Sequence, residues 1–314
     1  MPLAVLALSV LVLTACGGRQ ATPPPTPLPA PTNTPRFTPL PPVPSQAPYG
    51  SADRPYQIVI LPPPDSNVDP ASLEGFLKDH TGLNFKEITA SSDADLVDTL
   101  CGSVPTFAWV DGWTLLAAQA KGCGNVTLQI KQGAATGVKS DLIVSPAAAI
   151  DTLAALRARA TTRTFCRLNR SDVVSWVLPV IMLRTTGFDP FLAFHTVKDY
   201  NDPNAMVSDV SDNACVAAIP SGTLATYKIP NVSDVTKTVK VLATSPELPF
   251  GGLMTSLTVP RNDSDTISDL FRNNLDALQG LVTADSLAPA TNADFTQNHT
   301  DFSNLGINFA VLGP

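Results

Sequence analysis

The sequence lacks the motifs that usually announce a catalyst. It has no Gly-x-Ser-x-Gly elbow, no His-Glu-x-x-His zinc pair and no Gly-rich phosphate loop. No nucleophile stands out with a base beside it, so an enzyme is not expected, and neither is a cofactor. The three histidines, His80, His195 and His299, are scattered, and no two cysteines form a CxxC pair. That spacing gives no basis for a structural metal site. Basic residues are also scarce: 20 Lys and Arg face 27 Asp and Glu, for a formal net charge of −7. With no basic tract to follow a phosphate backbone, nucleic acid is excluded as a partner. Beyond the N-terminus, no apolar stretch reaches membrane-spanning length without polar breaks.

What is present begins with residues 1–16, an apolar run of signal-peptide length. It ends in Leu13-Thr14-Ala15-Cys16, which resembles the bacterial lipobox. Small residues admit the cleavage site to a peptidase, and the Cys16 thiol is the nucleophile that takes the lipid. Residues 17–53 follow as a linker rich in Pro and Thr, as in Thr22-Pro23-Pro24-Pro25-Thr26-Pro27. Proline removes backbone donors and fixes φ, so this segment reads as an extended, hydrated spacer. The expectation is a folded part held off a membrane surface by an N-terminal lipid.

The rest of the chain is long enough for one large domain or two medium ones. Besides Cys16 it carries Cys101, Cys123, Cys166 and Cys215. An even number of cysteines in an exported chain predicts two disulfides, with three pairings open. Strand-like runs alternate with helix-like ones. Tyr56–Leu61 reads as a strand stopped by Pro62-Pro63-Pro64, and 71–80 as a helix. Residues 83–89, 93–100, 106–110, 113–121, 126–131 and 142–145 continue the rhythm. A second α/β rhythm restarts at about residue 151 and carries strands at 164–168, 214–219 and 239–243. Alternation of this kind predicts parallel or mixed sheets covered by helices, in two units. In open α/β sheets, ligands sit beyond the C-terminal strand ends. Trp109 ends one predicted strand, Trp113 starts the next helix, and Asp111 lies between them. Two indoles there suit an organic ligand and Asp111 suits an amine, core packing being the competing role for the rings.

The stretch Ser171-Asp172-Val173-Val174-Ser175-Trp176-Val177-Leu178-Pro179, then Leu183-Arg184-Thr185-Thr186-Gly187-Phe188-Asp189-Pro190, resembles a known family. So do Asn213–Ala218 and Val241–Pro249. That family is the phosphate/phosphonate-type periplasmic solute-binding proteins of ABC transporters, and the resemblance covers roughly residues 55–280. It implies an α/β, bilobal type 2 periplasmic-binding-protein fold around a cleft. Lobe 1 is then expected over 54–146, lobe 2 over 147–244, and a return to lobe 1 with the C-terminal segment over 245–314. The family sets the strands of Cys166 and Cys215 side by side, which implies Cys166–Cys215. Cys101–Cys123 then closes one strand–helix unit of the first lobe. The resemblance further implies a monomer that delivers a small-molecule ligand to an ABC permease. The alternatives are a ligand-binding sensor or scaffold without transport and, further off, a secreted hydrolase.

By resemblance, Trp176 stands where the family places an aromatic near the ligand, and His195 and Tyr200 lie in a loop of polar contacts. Asn169, Ser171, Asp172 and Ser175 complete the candidates on that side. The sequence also departs from the family. Phosphonate binders present a Ser-Thr-Ser-Gly-Tyr-like run before the proline, whose hydroxyls hold the oxyanion. Here the run is Asp172-Val173-Val174-Ser175-Trp176. A carboxylate repels a phosphonate and two valines offer no donors, so an uncharged, zwitterionic or cationic ligand is expected. Arg167 or Arg170 swinging in to rebuild an anion site is the competing outcome.

Overall fold

The computed structural model describes residues 46–61, 70–184, 187–278 and 280–309. Cys16, the spacer up to residue 45 and Pro62–Pro64 lie outside the described residues. The chain opens with β1 (Tyr56–Ile60), α1 (Pro70–Thr81), β2 (Phe85–Thr89), α2 (Asp93–Leu100), β3 (Thr106–Val110), α3 (Gly112–Ala120) and β4 (Asn125–Lys131). Next come β5 (Gly137–Val138), β6 (Ser140–Val144), α4 (Leu153–Arg159) and β7 (Thr164–Arg167). A π-helical turn over Val173–Val177 leads into α5 (Leu178–Leu183). After it run α6 (Pro190–Ala193), β8 (Thr196–Asp199), α7 (Pro203–Ser211), β9 (Cys215–Pro220) and β10 (Lys240–Thr244). The chain closes with β11 (Leu248–Pro249), β12 (Gly252–Thr255), α8 (Arg261–Asn273), β13 (Ser286–Pro289) and α9 (Thr296–Asn304).

Two mixed sheets carry the fold. The first has the order β13-β4-β12-β3-β1-β2, the second β10-β6-β9-β7-β8. β1 pairs in parallel with β2 and β3, while β12 is antiparallel to both β3 and β4. In the second sheet, β7 is parallel to β8 and β9, and β6 runs antiparallel to β9 and β10. Strands at the centre of a sheet are covered on both faces, so they read as unbroken apolar runs. All five residues of β3 are buried. Ala108 and Val110 point into one apolar layer with Leu96, Leu115 and Leu116, and Phe107 and Trp109 into the opposite one with Leu77, Ile267 and Phe271.

One assignment needs correction. Residues 142–145 were expected in lobe 1, yet β6 pairs with β9 through Ser140↔Pro220 and Ile143↔Ala217 and so belongs to the second sheet. Every β6 residue is buried. A strand apolar on both faces carries no mark of the sheet that will receive it. The change of sheet therefore falls between Lys131 and Ser140, not near Pro146, and the chain comes back between Thr244 and Gly252.

These two crossings are laced together. β5 pairs antiparallel with β11, and the Ser140 N–H donates to Ser245 Oγ at 2.9 Å. Lys139 meets Glu247 at 3.4 Å, and Asn298 of α9 donates to the Glu247 carbonyl at 2.9 Å. Backbones pass very close here. A Cβ on Gly251, whose φ is +107°, would lie 2.0 Å from the Val110 carbonyl oxygen, so only glycine fits.

Cys101 is bonded to Cys123, and Cys166 to Cys215. The second bridge follows from register. β7 and β9 pair with Thr164 opposite Cys215 and Cys166 opposite Ala217, leaving the two cysteines diagonal neighbours with Cα atoms 6.0 Å apart.

Candidate functional site

The C-terminal ends of β1, β3 and β4 converge with the start of β12 on a cavity of about 550 Å3. Ile60 and Leu61 arrive from β1, Trp109 to Asp111 from β3, Ile130 and Gln132 from β4, and Phe250 precedes β12. The first turns of α2 and α3 supply Asp93, Leu96 and Thr114. Each helix starts there because a side chain takes its loose N–H groups. Ser92 accepts from Asp95 N, and Asp111 Oδ1 accepts from Thr114 N at 2.8 Å.

Thr114 ties two acids together. It is buried, and besides its backbone bond to Asp111 its hydroxyl donates to Asp93 Oδ1 at 2.9 Å. Water reaches Asp111, yet protein crowds it on most sides, as expected for a group on the wall of a concavity. That burial pushes its carboxyl above the usual range. Hydrogen bonds from Thr114 and Trp113 oppose the shift, and the charge of Asp93 adds to it. Trp109 is 6% exposed and meets Phe271 edge-on at 5.4 Å. Its Nε1 is sealed from water and has no hydrogen-bond partner among the described residues.

Trp113 is turned elsewhere. It packs half-buried against Phe302 of α9 at 5.0 Å and against Phe309 at 6.0 Å. On the second sheet, Asn169, Ser171 and Asp172 follow the C-terminal end of β7. Asn169 Oδ1 accepts from the Ser171 N–H and hydroxyl, and Asp172 Oδ1 caps the π-helical turn by accepting from Ser175 N at 2.5 Å. Ser175 is buried, and its Oγ accepts from Leu168 N at 3.0 Å, which pins the turn to the strand end. Trp176 lies 2% exposed beneath, between Phe165 and Phe191, with the Arg167 guanidinium 4.5 Å from its ring. Arg167 also pairs with Asp199 at 2.6 Å. Tyr200 follows β8 at this same end, and its hydroxyl is hydrogen-bonded to Asp209 of α7. His195 precedes β8, so it sits at the opposite end of the strands, where its N–H donates to the Arg163 carbonyl.

Of the residues singled out by sequence, the structure brings Trp109 and Asp111 onto one cavity and groups Asn169, Ser171 and Asp172 at another strand end. Sequence reasoning missed Asp93, Thr114, Gln132 and Phe250 as cavity residues, and Tyr227, a half-buried phenol raised by burial and further by the charge of Asp172. Asp93 was legible only as a helix-start acid. Its second role needs α2 packed on α3.

A larger groove of about 800 Å3 lies beside α8, at the other end of the first sheet, where β4 begins and β12 ends. Its two arginines are paired with aspartates on their own helix, Arg261 with Asp265 and Arg272 with Asp269. The strand-end cavity is the better candidate because helix starts and convergent polar groups meet there.

Residues 55–295 match the family described as ABC transporter, phosphonate, periplasmic substrate-binding protein. No curated protein matches the chain. Among solved structures, a Xanthomonas citri protein bound to ATP aligns at TM-score 0.51 and 12% identity, over 80% of this chain and 98% of that one. The binding-protein component of an ABC phosphonate transporter from Pseudomonas aeruginosa aligns at TM-score 0.43 and 16% identity, over 80% and 86%. PhnD1 from Prochlorococcus marinus, in complex with methylphosphonate, aligns at 0.45 and 14%, over 80% and 97%. The family match spans well over half the chain, and the mixed two-sheet topology agrees with it: this protein belongs to the phosphonate-type periplasmic substrate-binding family of ABC transporters.

Proposed function

We propose that this chain is a lipid-anchored extracytoplasmic solute-binding protein that captures a small molecule between two lobes and hands it to an ABC permease. The observation that carries this reading is the cavity at the strand ends of the first sheet, where Trp109 and Asp111 meet within a family of substrate-binding proteins. Leu13-Thr14-Ala15-Cys16 supports the anchor, and the Pro/Thr spacer gives the folded part its reach. Asp172 and its neighbours at the β7 end are the proposed contribution of the second lobe. Closure brings in the desolvation that strengthens charge pairing and aromatic contact.

The folded part, residues 46–314, should retain one small molecule from a cell extract, release it chemically unchanged on denaturation, and shrink in radius of gyration by solution scattering when that molecule is added back. A retained compound converted to product would make the protein an enzyme. A domain that retains nothing and never compacts would rule out solute capture. In the full chain, Cys16→Ala should move the protein from the membrane fraction to the soluble one.

A further inference from the structure

The second lobe carries an apolar outcrop that solute capture does not explain. Leu192 of α6 is 83% exposed and its neighbour Phe191 47%. Phe188 and Ala193 beside them are only partly buried. A lone exposed leucine needs no account, but a run of apolar residues at one surface does. The outcrop is anchored from within: Phe191 meets Trp176 edge-on at 5.2 Å, and Phe194 meets Phe165 at 5.1 Å.

Positive charge surrounds it. Residues 152–195 hold six arginines and two aspartates, in a chain whose acids outnumber its bases 27 to 20. Both ends of the outcrop are tied to the α4 region. On one side Arg157 of α4 donates to the carbonyls of Leu183 and Met182 at 3.0 and 3.2 Å, and Arg184 follows directly. On the other, the His195 N–H donates to the carbonyls of Ala160 and Arg163. Arg157, Arg159, Arg163 and Arg184 thus gather at the end of the sheet where β7 and β8 begin. None of the four is paired with a carboxylate among the described residues. Arg157 and Arg159 donate to backbone carbonyls and Arg163 to Asn213 Oδ1, all uncharged acceptors, and Arg184 is exposed. Of the acids nearby, Asp189 accepts from the Phe191 N–H, and Asp151, which feels the charge of Arg159, is paired with Lys240.

Exposed apolar side chains ringed by guanidiniums match an anionic bilayer. Its headgroup phosphates accept from arginine, and its acyl boundary takes up the rings and the leucine. The outcrop is convex, on a helix of four residues, too short to lay a face into a protein groove. A lipid surface yields to such a shape. The linker, at about 3.1 Å per residue when extended, lets any face of the folded part reach the membrane that holds Cys16.

We propose that the second lobe rests on anionic lipid through this outcrop, with Phe191 and Leu192 entering the acyl boundary and Arg157, Arg159, Arg163 and Arg184 meeting headgroup phosphates. The proposal takes from the reading above only that the chain is held at a membrane. Such contact leaves Asn169, Ser171 and Asp172, at the opposite end of β7, on the far side from the lipid.

Flotation of residues 17–314, which lack the lipidated cysteine, tests it with vesicles of phosphatidylcholine alone and of an equal mixture with phosphatidylglycerol. Binding to the mixture should be at least about tenfold tighter and should weaken with salt. Arg184→Glu and Leu192→Ser change exposed side chains, and each should weaken binding to the mixture about tenfold. Arg261→Glu, an equally exposed change on α8, should leave it unaltered. A polarity-sensitive dye on Leu192→Cys should brighten on the mixed vesicles and be quenched by nitroxide-labelled acyl chains. Equal binding to both vesicles, no binding at millimolar lipid, indifference to Leu192→Ser, the same loss from Arg261→Glu, or a dye out of reach of the acyl quencher would each overturn the proposal. So would a dimer in solution that Leu192→Ser dissociates, which would make the outcrop an interface between copies of this chain. Failure here leaves the anchor and solute capture standing, because Cys16→Ala fractionation and retention from extract test those separately.

Discussion

Asp111 does two jobs that pull in opposite directions. As the cap of α3 it must accept a backbone N–H, which any Asp, Asn or Ser can do. As an ionised group it sits in crowded surroundings beside Asp93, which raise its carboxyl above the ordinary value. An acid raised on folding contributes stability that is fully present below its unfolded value, about 3.9 for Asp, and lost as pH rises through the folded value. Asp111→Asn keeps the cap and carries no charge. The variant should therefore melt higher than the parent at pH 7, with the gap closing as pH falls to the ordinary carboxylate range. Thermal unfolding followed by circular dichroism at several pH values measures this, and a variant less stable at pH 7 would contradict the account. At this scale the sequence was informative where a residue's role depends on its place along one strand. The place of Trp109 and Asp111 at a strand end was readable because an apolar run stops there. Thr114 was not, because a threonine in a helix shows nothing of the acid it will meet on the neighbouring helix.

Elements with two full faces or a long amphipathic stripe were visible in the chain, and short ones were not. β3 and α2 fall where the pattern puts them, at Thr106–Val110 and Asp93–Leu100. Ile267, Leu270, Phe271, Leu275 and Leu278 are spaced for one face of a helix over 264–278. α8 instead starts at Arg261 and stops at Asn273, and a 3-10 turn takes up Leu275–Leu278. β5 and β11 have two residues each, β12 and β13 four, and they contain Gly or Pro that normally argues against a strand. Their existence depends on partners far along the chain, which no local period records. The disulfides show the reverse, since an element's position fixed its covalent partner. The Cys166–Cys215 bridge closes a span of 49 residues and joins β7 directly to β9. By loop-closure entropy such a bridge is worth about 4 kcal/mol, against about 3 kcal/mol for the shorter Cys101–Cys123 span. Replacing both Cys166 and Cys215 by Ala should lower stability in urea by more than replacing Cys101 and Cys123, and equal or reversed losses would show that bridge strain or residual unfolded structure dominates.

In the whole molecule, α9 ties the two crossings to the first layer. Phe302 fills the space beside Trp113 while Asn298 holds the Glu247 carbonyl. Beyond about residue 280 polar and apolar residues mix without a clear helical or strand period. The three phenylalanines there, Phe295, Phe302 and Phe309, are buried. The strand order carries a consequence for how the protein comes into being. The second sheet is drawn entirely from residues 140–244, so nothing outside that stretch is needed to pair its strands. The first sheet is different. β12 lies between β3 and β4, with Leu253 opposite both Trp109 and Leu128, so its centre is vacant until the chain has passed residue 252. Pairings that join distant segments form late because the intervening loop must be closed first. A chain delivered N-terminus first through a membrane thus completes its later-encoded sheet first, and Ala108 and Val126 wait for Met254 to bridge them. Pulsed hydrogen exchange during refolding should protect residues 140–144 and 215–220 before 106–110 and 125–131, and the reverse order would refute this. The solute cavity, which takes its walls from β1, β3, β4 and Phe250, is then among the last features of the molecule to exist.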